Sequence, residues 1–214
     1  MAVSPLSKSN DIIRFEILSN GISIPVTTQI IALHIQQDIN RFDEAVITLI
    51  DGSDGKNSFP IANSNTFKLG NSIEIKLGYH AKIDCVFKGK VIVQKLINNS
   101  EEGSQLQIIC KTEDTAISKV RKEDLDRSKS PVLELTYGYD VIEFQLQIHA
   151  ETPKRVDGFL TFQGFAKTNV NNMISIKGFA DKFNKNCTIS KVIHQVKHGS
   201  WHTTAYVGNN LNNT

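Results

Sequence analysis

Three histidines near the end of the chain are spaced in a way that could hold a metal ion. His194, His198 and His202 follow one another at intervals of four residues, and on a helix this spacing would place three imidazoles on one face. Gly199 and Ser200 interrupt the run, and the residues on either side alternate between apolar and polar types. That pattern favours a β-hairpin. We therefore predict surface or interface histidines and no metal site.

Other residues with catalytic potential are not spaced for catalysis. Two pairs of acidic residues fall in predicted loop or linker segments, namely Glu101 with Glu102 and Asp124 with Asp126. Glycoside hydrolysis needs two carboxylates that face each other across a cleft, and the sequence has no nucleophile elbow, phosphate-binding loop or dinucleotide fingerprint. Tyr79 and Trp201 could stack on a sugar, although packing in a core or an interface is the commoner role of such rings. We predict a protein that is not an enzyme and binds no cofactor.

Composition excludes several further classes of function. The chain has 214 residues, with 24 Lys and Arg against 22 Asp and Glu, so no excess of positive charge favours nucleic acid. No segment approaches the roughly 20 apolar residues of a membrane helix, and the first ten residues do not resemble a secretory signal. Cys85, Cys110 and Cys187 are too few for a disulfide framework, so we predict small buried side chains in a protein that assembles in the reducing cytoplasm.

The elements that would position these residues are mostly β-strands. Ile73, Ile75 and Leu77 alternate with polar residues, which is the pattern of a strand buried on one face. The same reasoning predicts strands at 12–18, 30–37, 45–50, 71–77, 85–96, 105–110, 133–137 and 141–149. A single helix is predicted at about 112–120, where Thr112 could cap its first turn.

A charged segment divides the chain. Eight of the eleven residues at 119–129 are charged and carry both signs, which is typical of a solvated linker. We predict a first domain at 1–120, a linker at 121–131, a second domain at 132–208 and a tail at 209–214.

The two predicted domains share a sequence pattern. NSIEIK at 71–76 corresponds to NMISIK at 172–177, and KVIVQ at 90–94 to KVIHQ at 191–195, both at an offset of 101 residues. Each copy then reaches a Gly-Ser turn and returns as another strand. The pattern predicts a tandem duplication of a small β-barrel, with Ile73, Ile75, Ile174 and Ile176 in matching core positions.

Several longer runs carry a family resemblance. LIDGSDGKNSFPIANSNTFKLGNSIEIKLGYH at 49–80 and VFKGKVIVQKL at 86–96 resemble the N-terminal part of VgrG, the tip protein of type VI secretion systems, especially that of Bacteroidetes. VgrG is similar in turn to the hub of contractile phage baseplates. The runs at 131–152, 160–184 and 192–208 look like the second barrel of the same hub module.

The resemblance implies a trimeric structural hub, which lies between a tube ring of Hcp-like protein and a spike. Members usually carry an α/β module between the barrels and a spike after them, whereas this chain has only 119–131 and ends at GNNLNNT. The expectation is thus a reduced hub of a type VI or phage-tail-like particle, with a separate spike protein and other baseplate proteins as partners. Two alternatives stay open: a two-domain β module that binds a glycan or surface protein, and a tube-initiation or adaptor ring of the same particle.

Six similar barrels in a trimer would surround a central channel. The side chains that point away from the repeated core residues would then line it, and exposed apolar surface there would be unfavourable. The candidate lining residues are Ser72, Glu74, Lys76, Ser175 and Lys177. In that arrangement, Lys76 and Lys177 would form a basic ring.

Overall fold

β-strands are the main secondary structure of the described part of the chain. The computed structural model describes residues 3–5, 12–52, 58–80, 82–99, 103–113, 131–152 and 154–208. Within these residues there are thirteen strands and one short 3₁₀ turn at Asp181–Phe183, so the predicted mainly β fold is confirmed. Apart from 112, 113 and 131, the residues of the predicted helix and linker lie outside the described residues, as does the predicted tail.

The strands follow the alternating apolar pattern closely. In the first half they are β1 (Ile13–Ser19), β2 (Ile22–Ser23), β3 (Ile30–Asp38), β4 (Glu44–Ile50), β5 (Ser72–Tyr79), β6 (Lys82–Asn99) and β7 (Gly103–Lys111). In the second half they are β8 (Leu133–Thr136), β9 (Val141–Gln147), β10 (Asp157–Gln163), β11 (Met173–Lys177), β12 (Asn186–Lys197) and β13 (Ser200–Val207). All eight strand ranges predicted from alternation match observed strands to within three residues at each end.

The thirteen strands form one hydrogen-bonded sheet in which each half has the same neighbours. The first half runs β1-β5-β6-β7-β4-β3, and the second runs β8-β11-β12-β13-β10-β9. Strand β1 is antiparallel to β5, however, whereas β8 is parallel to β11. The halves are joined because β3 pairs with β12.

Backbone hydrogen bonds give the correspondence between the halves residue by residue. The N–H of Gly70 donates to the carbonyl of Val91 at 2.9 Å, and the N–H of Asn171 donates to that of Ile189 at 2.9 Å. Gly70 and Asn171 both have positive φ, at 88° and 64°. Strand β11 therefore corresponds to β5 at an offset of 101 residues, whereas β12 corresponds to β6 at 98. The matched letters KVIVQ and KVIHQ thus lie three residues out of structural register.

Two apolar cores lie along the sheet. Ile73 and Ile75 are fully buried in the first, and Ile174 and Ile176 are at most 1% exposed in the second. Ile73 lies opposite Gly89 and Ile174 lies opposite Cys187, which are corresponding positions of β6 and β12. The first core also contains Ala166, Val196 and Trp201 from the second half, so the second half helps to close the first.

Shortening matched isoleucines provides a test of this correspondence. We expect Ile73→Val and Ile174→Val each to lower the free energy of unfolding by about 0.5–1.5 kcal/mol, because each removes one buried methyl group. Urea denaturation monitored by circular dichroism measures both. The exposed Ile22, with 74% of its surface accessible, provides the control variant Ile22→Val. An effect in only one half would contradict equal packing at the two positions.

The cysteines are placed differently from one another. Cys110 and Cys187 are buried, and burial raises the pKa of their thiols to about 12 and about 11. Cys85 is exposed, contrary to the prediction, because the β6 bulge opposite Ile75 and Lys76 shifts the side-chain alternation there.

Candidate functional site

The polar face of β5 carries paired charges. The Lys76 ammonium lies 2.9 Å from a carboxylate oxygen of Glu16 on β1 and 4.0 Å from one of Glu74. Lys88 on β6 lies 3.2 Å from the other oxygen of Glu74. The hydrogen bond between the two side chains raises the pKa of Lys76 and lowers the pKa of Glu16. This face therefore presents a cross-strand network of both signs, and Ser72 lies exposed at the start of the same strand.

The corresponding face of β11 is smaller. Lys177 lies 2.6 Å from a carboxylate oxygen of Glu134 on β8, so both candidate lysines have an acidic neighbour on the adjacent strand. Ser175 is only 9% exposed and contributes little surface. The two lysines consequently bring their own counter-charges, and a wall built from these strands would have mixed charge.

The three spaced histidines point in different directions. His194 on β12 is completely buried, and its Nδ1 lies 2.9 Å from the hydroxyl of Thr203. His198 and Gly199 form the two-residue turn between β12 and β13 with φ of 51° and 72°, which is the geometry of a type I′ hairpin. His202 is exposed on β13. Among the described residues, no cluster of three or more His, Cys, Asp or Glu side chains is placed to hold a metal ion.

The aromatic pair that could have stacked on a sugar is packed inward instead. Trp201 is 3% exposed, and its ring centroid lies 5.3 Å from that of Tyr79. A groove of about 920 Å³ runs beside this pair, between β1, β3 and the β12–β13 hairpin. Ile12 and Phe15 line its outer part and are 81% and 43% exposed. The buried Trp201 offers no open ring face to a ligand.

Large exposed apolar side chains also lie on two strands far apart in the sheet order. On β6, Val93 and Leu96 are 41% and 50% exposed; on β9, Ile142 and Phe144 are 60% and 43% exposed. Sequence reasoning did not single out these residues. For Leu96 and Phe144 the signal that could have found them is the strand order, because an apolar side chain on the core face stays exposed when no neighbouring strand covers it. Val93 lies on the other face of β6, opposite Ile109, and Ile142 is the residue that the β9–β10 ladder skips.

Comparison with known families places the chain in one of them. Residues 9–126 match the family model described as the Alg8 N-terminal domain. The chain belongs to this family. The match covers more than half of the chain and includes β1–β7. The family predicted from sequence was VgrG, so the Alg8 N-terminal domain family differs from that expectation. No curated protein sequence matches the chain significantly.

Solved structures share the fold of this member of the Alg8 N-terminal domain family. The 43 kDa tail protein of prophage MuSo2 from Shewanella oneidensis has a TM-score of 0.63 at 9% identity, covering 94% of this chain and 97% of that one. A tail protein from Neisseria meningitidis MC58 has a TM-score of 0.62 at 8% identity, covering 92% and 96%. At these identities the likeness shows a common fold.

A third similar structure comes from a secretion system. The Escherichia coli c3393 protein has a TM-score of 0.56 at 10% identity, with 90% of this chain and 76% of that chain covered. It is described as a component of the type VI secretion system that is structurally similar to the T4 bacteriophage tail proteins gp27 and gp5.

The described part of our chain contains no helix that is long and apolar enough to cross a membrane.

Proposed function

We propose that this protein is a non-enzymatic structural hub of a contractile injection system, either a type VI or a phage-tail-like particle. The observation that carries the proposal is the fold shared with two tail proteins over more than nine-tenths of each chain. The likeness to a type VI component that resembles gp27 and gp5 supports the same role. In this role the chain resembles the hub module of VgrG.

The hub would be a homotrimer that places six similar units around an axis. Duplicated strand pairing within one chain supports this arrangement, because three chains then present six similar surfaces to a six-fold ring. Its partners would be an Hcp-like tube ring on one side and a spike protein on the other, with further baseplate proteins around it. Assembly would take place in the cytoplasm, and the domains would divide at the charged segment 121–131.

The polar residues of β5 and β11 are the candidate lining of the channel. Four of these side chains are exposed or half-exposed, namely Ser72, Glu74, Lys76 and Lys177. Ser175 is buried and could line a channel only if the residues packed over it moved. Because the lysines are paired with Glu16 and Glu134, the wall would carry balanced charge instead of the basic ring expected from sequence.

The mass of the purified assembly tests the hub directly. We expect light scattering to give three chains per particle over a wide range of concentration, since a closed ring leaves no free surface for further addition. When the tube protein is added, each particle should still contain three chains of this protein. A monomer that persists at every concentration would favour the glycan or surface-protein binding module, and a stable hexamer would favour the adaptor ring.

A further inference from the structure

Two of the strand edges that have no strand beside them, among the residues that the structure describes, lie on β9 and on the second half of β6. Strand β9 lies at one end of the sheet order and pairs only with β10. The second half of β6, residues 93–99, pairs with β7 along one edge. The other edge of β6 faces β5, but the pairing with β5 ends at Lys90. Residues 93–99 therefore have no strand on that side.

Each of these open edges has an internal counterpart that is paired. Strand β3 corresponds to β9, because the β3–β4 ladder skips Ile31 and the β9–β10 ladder skips Ile142 at the same place. Strand β6 corresponds to β12 at the offset of 98 residues. Strands β3 and β12 pair antiparallel over seven residues, 32–38 with 191–197. The β3–β12 junction therefore occurs once within the chain. The counterparts of its two strands, β9 and the second half of β6, are not paired with each other in the chain.

Burial follows the same distinction. Leu33 on β3 is 1% exposed, whereas its counterpart on β9, Phe144, is 43% exposed. His194 on β12 is fully buried, whereas its counterpart on β6, Leu96, is 50% exposed. These side chains all point toward the core face, so the difference comes from the missing neighbouring strand. Covering the two open edges would remove apolar surface from water.

We propose that β9 of one chain pairs with the second half of β6 of a second copy of the same chain, repeating the β3–β12 junction between molecules. This interface rests on the proposed hub and specifies how its subunits join. Transferring the internal register places Leu96 opposite Leu146, Ile97 opposite Gln145 and Asn98 opposite Phe144 of the second copy. None of the seven transferred pairs sets like charges opposite each other.

The junction is head to tail, so each chain supplies one edge of each kind. A heterologous contact of this type closes into a ring when the rotation between neighbours allows it, and otherwise continues as an open filament. If the junction between chains repeats the junction within a chain, every unit in the ring meets its neighbours in the same way. The arrangement also protects two strand edges that would otherwise favour aggregation.

Disulfide trapping tests the register of this junction. Chains that carry Ile97→Cys are mixed with chains that carry Gln145→Cys, both in a Cys85→Ser background, and oxidised. Opposite residues of an antiparallel pair have Cα atoms about 4.5–5.5 Å apart, which suits a disulfide. We expect a crosslinked dimer from the mixture and none from either chain alone. Lys95→Cys mixed with Gln145→Cys is the matched control, because it is two residues out of register and should crosslink far less.

The outcomes separate this inference from the proposed hub. A trimeric particle without the Ile97–Gln145 crosslink would overturn the edge pairing and leave the hub standing. Crosslinking in particles that are not trimeric would support the pairing and contradict the trimeric hub. A monomer that never crosslinks at high concentration would overturn both.

A charge placed on the open edge of β6 gives an independent readout. Leu96→Lys should leave the circular dichroism and melting temperature of the chain close to those of the parent, since the side chain is half exposed. It should nevertheless convert the assembly to monomers, because the lysine would face Leu146 of the second copy. Val26→Lys, at a fully exposed position outside both edges, is the control and should assemble normally. Normal assembly of a folded Leu96→Lys chain would contradict the proposed junction.

Discussion

Replacing Trp201 with alanine should destabilise the protein by about 3–5 kcal/mol, as expected for truncation of a buried tryptophan. Trp201 belongs to the second half of the chain but is packed in the core of the first, against Tyr79 at 5.3 Å and His194 at 5.9 Å between ring centroids. Its loss would therefore loosen the junction between the halves as well as leave a cavity. Urea denaturation followed by circular dichroism measures the change, since the chain has no other tryptophan.

Tyr139, which is 78% exposed, supplies the matched aromatic truncation, and Tyr139→Ala should change stability by no more than about 0.5 kcal/mol. Gly164 gives a sharper control, because a Cβ added there would lie 1.9 Å from Cδ2 of Trp201. Gly164→Ala should thus destabilise the parent strongly but should cost much less once Trp201 is alanine. Additive effects of the two substitutions would show that this close contact does not determine the packing.

Local alternation predicted the strands well, because a strand with one buried face repeats every two residues. Ile73, Ile75 and Leu77 in β5 give this signal clearly. Strand β10 lacked it, since Phe159 and Leu160 are adjacent apolar residues: Leu160 is buried, whereas the Phe159 ring lies 5.7 Å from that of Tyr206 on the outer face. Two adjacent apolar residues do not show which face of a strand is buried.

The sequence pattern predicted matching strands in the two halves, but it aligned β6 with β12 in the wrong register. Both β6 and β12 contain a bulge, at Ile92 and Ser190. Val91 and Val192 consequently both point inward although they are not structural counterparts: Val91 lies opposite Cys110, and Val192 lies opposite Ala205. Identical letters were therefore aligned three residues away from the structural match. The hydrogen bonds of Gly70 and Asn171, and the pairing of Ile73 with Gly89 and of Ile174 with Cys187, give the correct offset.

The candidate site was less accessible to sequence reasoning than the fold. Pairing of β3 with β12 joins residues more than 150 positions apart, and no local pattern encodes such a contact. The ion pairs of Lys76 with Glu16 and of Lys177 with Glu134 likewise depend on which strands become neighbours. The open edges of β6 and β9 follow from the same long-range order.

Stability should fall as the pH is lowered from about 6.5 toward 4, because of His194. Complete burial is the main cause that lowers the pKa of this imidazole to about 4, while the nearby Thr168 backbone opposes the shift. An unfolded histidine has a pKa of about 6.5, so between these values the unfolded chain binds a proton that the folded chain does not. The stabilising contribution is complete above the unfolded pKa and is lost on acidification, by up to about 3 kcal/mol.

The pH dependence of unfolding by urea, measured from pH 8 to pH 4, tests this expectation against His194→Gln. The variant should be less stable at pH 8, because the contact with Thr203 is disturbed, but its stability should fall less steeply with acidification. The pKa of His34 is also lowered, chiefly by desolvation, but its side chain is exposed on β3. His34→Gln is therefore a second variant, with a change of slope in the same direction that is much smaller than that of His194→Gln. His202→Gln, at an exposed position, should retain the parental slope. An unchanged slope in His194→Gln would mean that protonation of this imidazole does not limit the stability of the fold in acid.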